Sequence, residues 1–246
     1  MKARLLPILC MVLAFVACEP NEPTQKPKFE LNTPSLSMYV GDMRHLKIDS
    51  DLEYTVKSED LYVASIYGEN NTVKAEHVGK TTISISNGNE TLTCEVEVLA
   101  KYHPFEEPFI PNYTAPTCHW LTMGNYNDSH GFEYIESAST SECHVYKGKE
   151  PNVYFFYFFD YSLNITQLQM RFFDMSLWQS LYQYTIERFQ LVSGKVLGSD
   201  GHGDYYYEDI FCNSLNASTS TLDITLGNNY VVGTDPCIAL IFVPKQ

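Results

Sequence analysis

The chain has 246 residues and a strongly acidic balance, with 30 aspartates and glutamates against 16 lysines and arginines and a formal net charge of −14. Binding to nucleic acid needs clustered lysine and arginine side chains that neutralise phosphates, so this composition argues against a nucleic-acid partner. The length is sufficient for two domains, and beyond the N-terminal segment no apolar run is long enough to span a membrane.

Residues 1–17 have the layout of a secretory signal. A cationic start at Lys2 and Arg4 is followed by an apolar stretch that is well short of the roughly 20 residues of a membrane-spanning helix. The stretch ends in Phe15-Val16-Ala17-Cys18, which resembles the lipobox of bacterial lipoproteins. The alternative is an ordinary secretory signal with an incidental cysteine.

The lipobox resemblance implies cleavage before Cys18 and acylation of its thiol, so that the protein is attached to a membrane through lipid. Several buried acyl chains, at about 0.8 kcal/mol per methylene, make an essentially permanent anchor. Residues 18–30 carry prolines and no apolar periodicity, which predicts a flexible tether between the anchor and the first folded domain.

Aromatic residues are concentrated in the second half of the chain. Both tryptophans, 14 of the 18 tyrosines and 12 of the 14 phenylalanines follow residue 100. The shift predicts a domain boundary at a proline-rich linker, residues 101–111. The two predicted domains are therefore residues 31–100 and residues 112–246.

The first domain reads as short alternating strands separated by turns, which predicts a β-sandwich. Asn87-Gly88-Asn89 is a strong hairpin signal. Several of its segments resemble the bacterial Ig-like domain, group 2: Val40-Gly41-Asp42, Ser58-Glu59-Asp60, Val63-Ala64-Ser65-Ile66, Val73-Lys74-Ala75 and Gly79-Lys80-Thr81-Thr82-Ile83-Ser84. The resemblance implies an Ig-like fold, which occurs both in adhesins and in spacers, and it implies no specific activity.

The sequence pattern of the second domain predicts an α+β arrangement, with one main helix on a mixed or antiparallel sheet. The apolar run of residues 153–160 indicates an interior strand covered on both faces. Ser176-Leu177-Trp178-Gln179 matches a capping box ahead of a helix that Gly194 can stop. The order of elements is similar to uncharacterised C-terminal domains of Gram-negative surface lipoproteins. We expect an outer-membrane lipoprotein of the cell envelope, with a surface-exposed position favoured over the periplasmic alternative.

The cysteines beyond the signal and the anchor have two readings. Cys94 alternates with Leu92 and Val96, which indicates a small core residue. An exported chain can keep disulfides, and four cysteines allow three connectivities among which the sequence does not choose. The four that can pair are Cys118, Cys143, Cys212 and Cys237.

Two local clusters contain residue types that can act in catalysis or bind a metal. In Cys143-His144 a base stands beside a thiol, but adjacent residues on a strand face opposite ways, so the pair does not predict a nucleophile. Asp200, His202 and Asp204 form the candidate metal loop, although a solvated glycine-rich loop explains the same residues. The sequence predicts no cofactor.

No Gly-x-Ser-x-Gly, His-Glu-x-x-His or phosphate-loop motif occurs, so the sequence predicts a binding protein rather than an enzyme. The candidate ligand-binding residues are Trp120 and the cluster Tyr205-Tyr206-Tyr207, because exposed aromatic faces stack on sugar rings and contact proteins. The favoured function is a surface binding or adhesion module with a glycan or protein ligand. The alternatives are a glycan-binding accessory lipoprotein of a polysaccharide-uptake system, a surface hydrolase and a structural envelope component.

Overall fold

The computed structural model describes residues 27–68, 71–111, 118–199, 205–232 and 235–244. The described chain forms a β-sandwich followed by an eight-stranded antiparallel sheet with two helices. The protein is therefore mainly β, and the predicted fold class, an Ig-like sandwich followed by an α+β domain, is confirmed. Across the described residues, none of the helices has the length and apolar character that a membrane crossing requires.

The sandwich is made of two sheets around one apolar core, with an additional short strand pair. Its strands are β1 (Phe29–Leu31), β2 (Ser35–Tyr39), β3 (Met43–His45), β4 (Ile48–Ser50), β5 (Thr55–Ser58), β6 (Ala64–Tyr67), β7 (Thr72–Ala75), β8 (Gly79–Ser86) and β9 (Thr91–Leu99). The four-stranded sheet has the order β2-β9-β8-β5, the three-stranded sheet has the order β3-β7-β6, and β1 pairs with β4. Val73, Ile83 and Ile85 are fully buried between the sheets.

Two glycines shape the sandwich for different reasons. Gly88 has a φ of +90° in the turn between β8 and β9, which confirms the hairpin at Asn87-Gly88-Asn89. At Gly79 a Cβ atom would lie 2.8 Å from Cγ2 of Val63, so only glycine permits this close approach at the start of β8.

The first domain begins earlier than the boundary predicted at residue 31. Phe29 lies in β1, is 8% exposed and packs into the sandwich core beside Tyr54. The segment that reads as tether therefore ends before Phe29, because burial of one phenylalanine and pairing with β4 draw these residues into the fold.

The second domain has one large antiparallel sheet. Its elements are α1 (Trp120–Ser129), β10 (Glu133–Tyr134), β11 (Cys143–Lys147), β12 (Val153–Phe159), β13 (Ile165–Phe172), α2 (Trp178–Arg188), β14 (Gln190–Ser199), β15 (Tyr205–Cys212), β16 (Leu222–Val232) and β17 (Asp235–Pro244). The strand order is β10-β11-β12-β13-β17-β16-β15-β14. One face of this sheet carries the core, and α2 contributes Leu181 and Tyr184 to it.

The prediction that residues 153–160 are covered on both faces is wrong. Strand β12 alternates strictly: Val153, Phe155, Tyr157 and Phe159 are buried in the core, and the residues between them are only half-buried. A run of apolar residues does not show whether a strand is covered on one face or on both. Here the aromatic side chains on the second face are partly covered by one another rather than by another layer.

Helix α2 differs from its predicted bounds at both ends. Asp174, rather than Ser176, caps a 3₁₀ turn over residues 175–177, and its carboxylate accepts a hydrogen bond from the backbone N–H of Ser176 at 3.0 Å. The helix ends at Arg188, six residues before Gly194, because β14 pairs with β15 from Gln190 onward. Sheet pairing here decides the helix end instead of glycine.

The linker at residues 101–111 packs against the second domain. Phe105 is 4% exposed, with ring centroids 4.9 Å from Tyr184 and 5.0 Å from Phe172. The buried Glu187 carboxylate of α2 accepts hydrogen bonds from the backbone N–H groups of Lys101 and Tyr102. The joint is therefore held by core packing and by a satisfied buried carboxylate.

Candidate functional site

A pocket of about 400 Å³ opens where α1 lies against β10 and β11. We name it the Trp120 pocket. It is lined by Trp120, Leu121, Gly124, Asn125, Asp128, Tyr134, His144 and Tyr146. Trp120, which the sequence singled out for ligand binding, lines this pocket, and its side chain is half-buried.

Helix α1 presents one face to the pocket. Leu121, Asn125 and Asp128 recur at helical spacing and are exposed, whereas Met123 on the opposite face is fully buried. The buried Asn127 fixes the helix to the linker, since its Oδ1 accepts a hydrogen bond from the backbone N–H of Phe109 at 3.0 Å. The pocket wall is therefore attached to the core.

The start of α1 holds Trp120 in place. The ring of His119 caps the helix by accepting a hydrogen bond from the backbone N–H of Leu121. The backbone N–H of Trp120 donates to the carbonyl oxygen of Leu163 at 3.0 Å, which ties the helix to the loop between β12 and β13. Two separate segments thus define the position of the indole.

His144 forms the floor between the aromatic walls. Its ring lies edge-on to Trp120, Tyr134 and Phe159, with centroid separations of 6.2, 5.4 and 4.8 Å. These separations are typical of edge-to-face aromatic pairs, which restrict the orientation of each ring. The sequence marked His144 only as a neighbour of Cys143, and no local pattern marked Tyr134.

Burial shifts the pKa values of two side chains in the Trp120 pocket. It raises the pKa of the Tyr146 phenol to about 12, assisted by the nearby Asp128 carboxylate and Tyr134. It lowers the pKa of His144, so the imidazole is neutral at neutral pH and can both donate and accept. Neutral hydrogen-bonding groups therefore lie beside a single exposed carboxylate, that of Asp128.

A second cavity of about 450 Å³ adjoins the first; we name it the Tyr161 cavity. It is lined by Ser141, Glu142, Phe159, Asp160, Tyr161 and Leu163. Phe159 contacts His144, and the backbone N–H of Trp120 donates to the carbonyl of Leu163, so the linings of the two cavities contact each other.

The opposite face of the sheet has a cavity of about 600 Å³ that the sequence did not predict. Its walls include the half-buried Tyr154, Phe156 and Phe173, and the guanidinium of Arg171 lies 3.9 Å over the Phe156 ring. Asp235 is the charged residue in its lining, at the exposed edge of the cavity. Three side chains in this lining carry hydrogen-bonding groups, Asn152, Tyr154 and Asp235, against six in the Trp120 pocket.

The two predicted aromatic candidates do not form one site. Tyr205, Tyr206 and Tyr207 lie in β15, which is seventh in the strand order, whereas β11 beside Trp120 is second. Five strand spacings amount to roughly 24 Å along the sheet. The anchor Cys18 and the candidate metal loop of Asp200, His202 and Asp204 lie outside the described residues.

No disulfide joins the cysteines in the described part of the chain, although Cys118, Cys143, Cys212 and Cys237 were candidates to pair. Cys143 on β11 and Cys237 on β17 are three strand spacings apart, roughly 14 Å, and a disulfide needs Cα atoms within about 7 Å. Cys94 is fully buried in the sandwich core.

The Cys143-His144 pair does not form an activated nucleophile in the described structure. Cys143 and His144 are neighbours on β11, and burial raises the pKa of the Cys143 thiol, which disfavours the reactive thiolate. Among residues 27–68, 71–111, 118–199, 205–232 and 235–244, no group of three or more histidine, cysteine or acidic residues could hold a metal ion.

No protein family matches the sequence, and no curated protein is similar to it at a significant level. Among solved structures, domains 5–6 of the S-layer protein SbsC align over 89% of this chain and 97% of theirs, with 14% identity and a TM-score of 0.27. Human protocadherin-24 EC1-2 aligns over 82% of this chain and 95% of its own, with 14% identity and a TM-score of 0.25. Scores this low carry no argument about fold or function.

Proposed function

We propose that this protein is a surface binding module of the bacterial cell envelope, anchored in the outer membrane through lipid on Cys18. The second domain recognises the ligand through the Trp120 pocket. The first domain, which resembles the bacterial Ig-like domain, group 2, acts as a spacer between the tether and the recognition domain.

One observation carries the recognition role. Ring faces and hydrogen-bonding groups from α1, β10 and β11 converge in one open pocket on a rigid part of the fold. Convergent polar groups among apolar walls are typical of ligand sites. The tether precedes the first domain in the chain, so the order anchor, spacer, recognition domain agrees with this assignment.

A glycan is the second, narrower candidate function. Trp120 and Tyr134 offer ring surfaces to the apolar face of a sugar, and Asn125 and Asp128 can bond its hydroxyl groups.

The test is a binding screen of the chain from Glu19 to Gln246 against arrays of glycans and of envelope and host proteins. With any ligand found, we expect Trp120→Ala and Tyr134→Ala each to weaken binding about 5- to 30-fold, as for a binding hot spot. Tyr67→Ala is the matched control, because Tyr67 is equally aromatic, 60% exposed and located in the first domain. Unchanged affinity in both pocket variants would reject the site.

A further inference from the structure

The loop that follows β12 projects an aromatic ring beside the Trp120 pocket. Tyr161 is fully exposed at its tip, and Leu163, 40% exposed, follows two residues later. Exposed apolar side chains that lie together on a surface are typical of interaction sites, whereas single ones are common. Both residues line the Tyr161 cavity.

The loop is held in a single conformation. Oδ1 of Asp160 accepts hydrogen bonds from the backbone N–H groups of Ser162 and Asn164 at 2.8 and 2.9 Å. Leu163 has a φ of +62°, a left-handed conformation that bulky residues rarely adopt, and its backbone bonds on both sides maintain it. The backbone that carries Tyr161 therefore loses little conformational entropy on binding.

The linings of the Trp120 pocket and of the Tyr161 cavity contact each other at two points. The His144 ring lines the first and contacts Phe159, which lines the second. On the other side, the bond between Trp120 and Leu163 links the two linings. The surface therefore offers two adjacent recesses, each with exposed ring faces and polar groups.

The charged residues that line the two cavities restrict the kinds of ligand that fit them. The residues described as lining the two cavities include the acids Asp128, Glu142 and Asp160 and no lysine or arginine. Carboxylates accept hydrogen bonds from hydroxyl donors and repel anionic ligands. The lining thus fits a neutral, hydroxyl-rich ligand with apolar faces.

We propose that the two cavities are neighbouring subsites of one cleft that takes a neutral oligosaccharide of at least two sugar units. One sugar stacks in the Trp120 pocket with its hydroxyl groups on Asn125 and Asp128. The next stacks on Tyr161 with its hydroxyl groups on Ser141 and Glu142. This inference rests on the proposed function, since it specifies the ligand of the same recognition domain.

The test is calorimetric titration of the chain from Glu19 to Gln246 with glucose, mannose, galactose and xylose, and with their neutral di-, tri- and tetrasaccharides. For the sugar that binds, we expect the disaccharide to bind at least about tenfold more tightly than the monosaccharide. Tyr161→Ala should remove most of this gain. Tyr67→Ala should preserve the gain.

The outcomes separate the two proposals. Monosaccharide binding with no gain from a second unit, or a gain that Tyr161→Ala leaves intact, overturns the two-subsite cleft and leaves the Trp120 pocket standing. A further titration uses oligogalacturonate, which is anionic. If it binds more tightly than the neutral galactose oligosaccharide of the same length, the proposal of a neutral ligand is overturned. Absence of binding to every saccharide, together with a protein ligand in the array screen, overturns the cleft while supporting surface binding.

Discussion

The Tyr62 hydroxyl of the first domain donates a hydrogen bond to the backbone carbonyl of Arg188, the last residue of α2, at 2.7 Å. One residue earlier, the carbonyl of Glu187 accepts a hydrogen bond from the backbone N–H of Val78 at 2.9 Å. Burial raises the pKa of Tyr62 well above its usual value, so the hydroxyl remains a donor at every physiological pH. The end of one helix thus serves as the docking point of the sandwich.

Removing this hydroxyl should loosen the contact between the domains. We expect Tyr62→Phe to lower the free energy of unfolding by about 1 kcal/mol, since the partner carbonyl loses a partly buried hydrogen bond. Urea denaturation measures the loss, and Tyr39→Phe, 48% exposed, is the control. Equal urea midpoints for the two variants would show that the contact does not contribute to stability.

Phe105 should behave as a core residue although it lies in the linker. Phe105→Ala removes a ring packed against Phe155, Phe172 and Tyr184, so we expect a loss of about 3–5 kcal/mol in urea denaturation. Tyr102→Ala, three residues earlier and 40% exposed, should change stability by less than about 0.5 kcal/mol. A loss below about 1 kcal/mol for Phe105→Ala contradicts the packed linker.

His77 should make stability fall on mild acidification. Burial lowers its pKa from 6.5 and Lys74 acts in the same direction, while the hydrogen bond to the Tyr62 carbonyl and the charges of Glu76 and Asp60 oppose the shift. The unfolded chain therefore binds the proton at a higher pH than the folded protein does. The stability that neutral His77 contributes is complete above about pH 6.5 and is lost as the pH falls toward the lowered folded pKa.

The measurement compares urea midpoints at pH 7.5 and pH 5.5. We expect wild type to lose more stability over this interval than His77→Gln, which cannot titrate. His45→Gln is the matched control, because His45 is exposed in the same domain. An identical pH dependence in wild type and His77→Gln refutes the assignment.

Cys18 should carry the anchor. We expect Cys18→Ala to move the protein from the membrane fraction to the soluble fraction, because loss of the acyl chains removes the buried methylenes that hold it. Mass spectrometry of the wild-type protein should find an acylated N-terminal Cys18. A variant that remains firmly membrane-bound argues for another mode of attachment.

Several local features could be predicted because they depend on neighbouring residues. The sequence shows the alternation of β8 and the hairpin at Asn87-Gly88-Asn89, and the structure contains both. The increase in aromatic residues near residue 100 coincides with the change from the first domain to the second. Helix α1 escaped prediction, since its apolar residues follow no helical period and only Met123 and Asn127 are buried. Its position depends on contacts with the linker and with the loop after β12.

The sequence by itself determined the two-domain, mainly β character of this protein and pointed to Trp120, because strand alternation and composition are local properties. Only the tertiary structure decided which residues stand beside Trp120, since Asp128, Tyr134 and His144 come from three elements. The antiparallel pairing of β10 with β11 brings Tyr134 to His144, and the packing of α1 brings Asp128 to them. The tertiary structure also decided that the Tyr205 cluster is remote from Trp120, since strand order is set by long-range pairing. Long-range pairing leaves no local pattern in a single sequence, so the neighbours of Trp120 could be identified only from the fold.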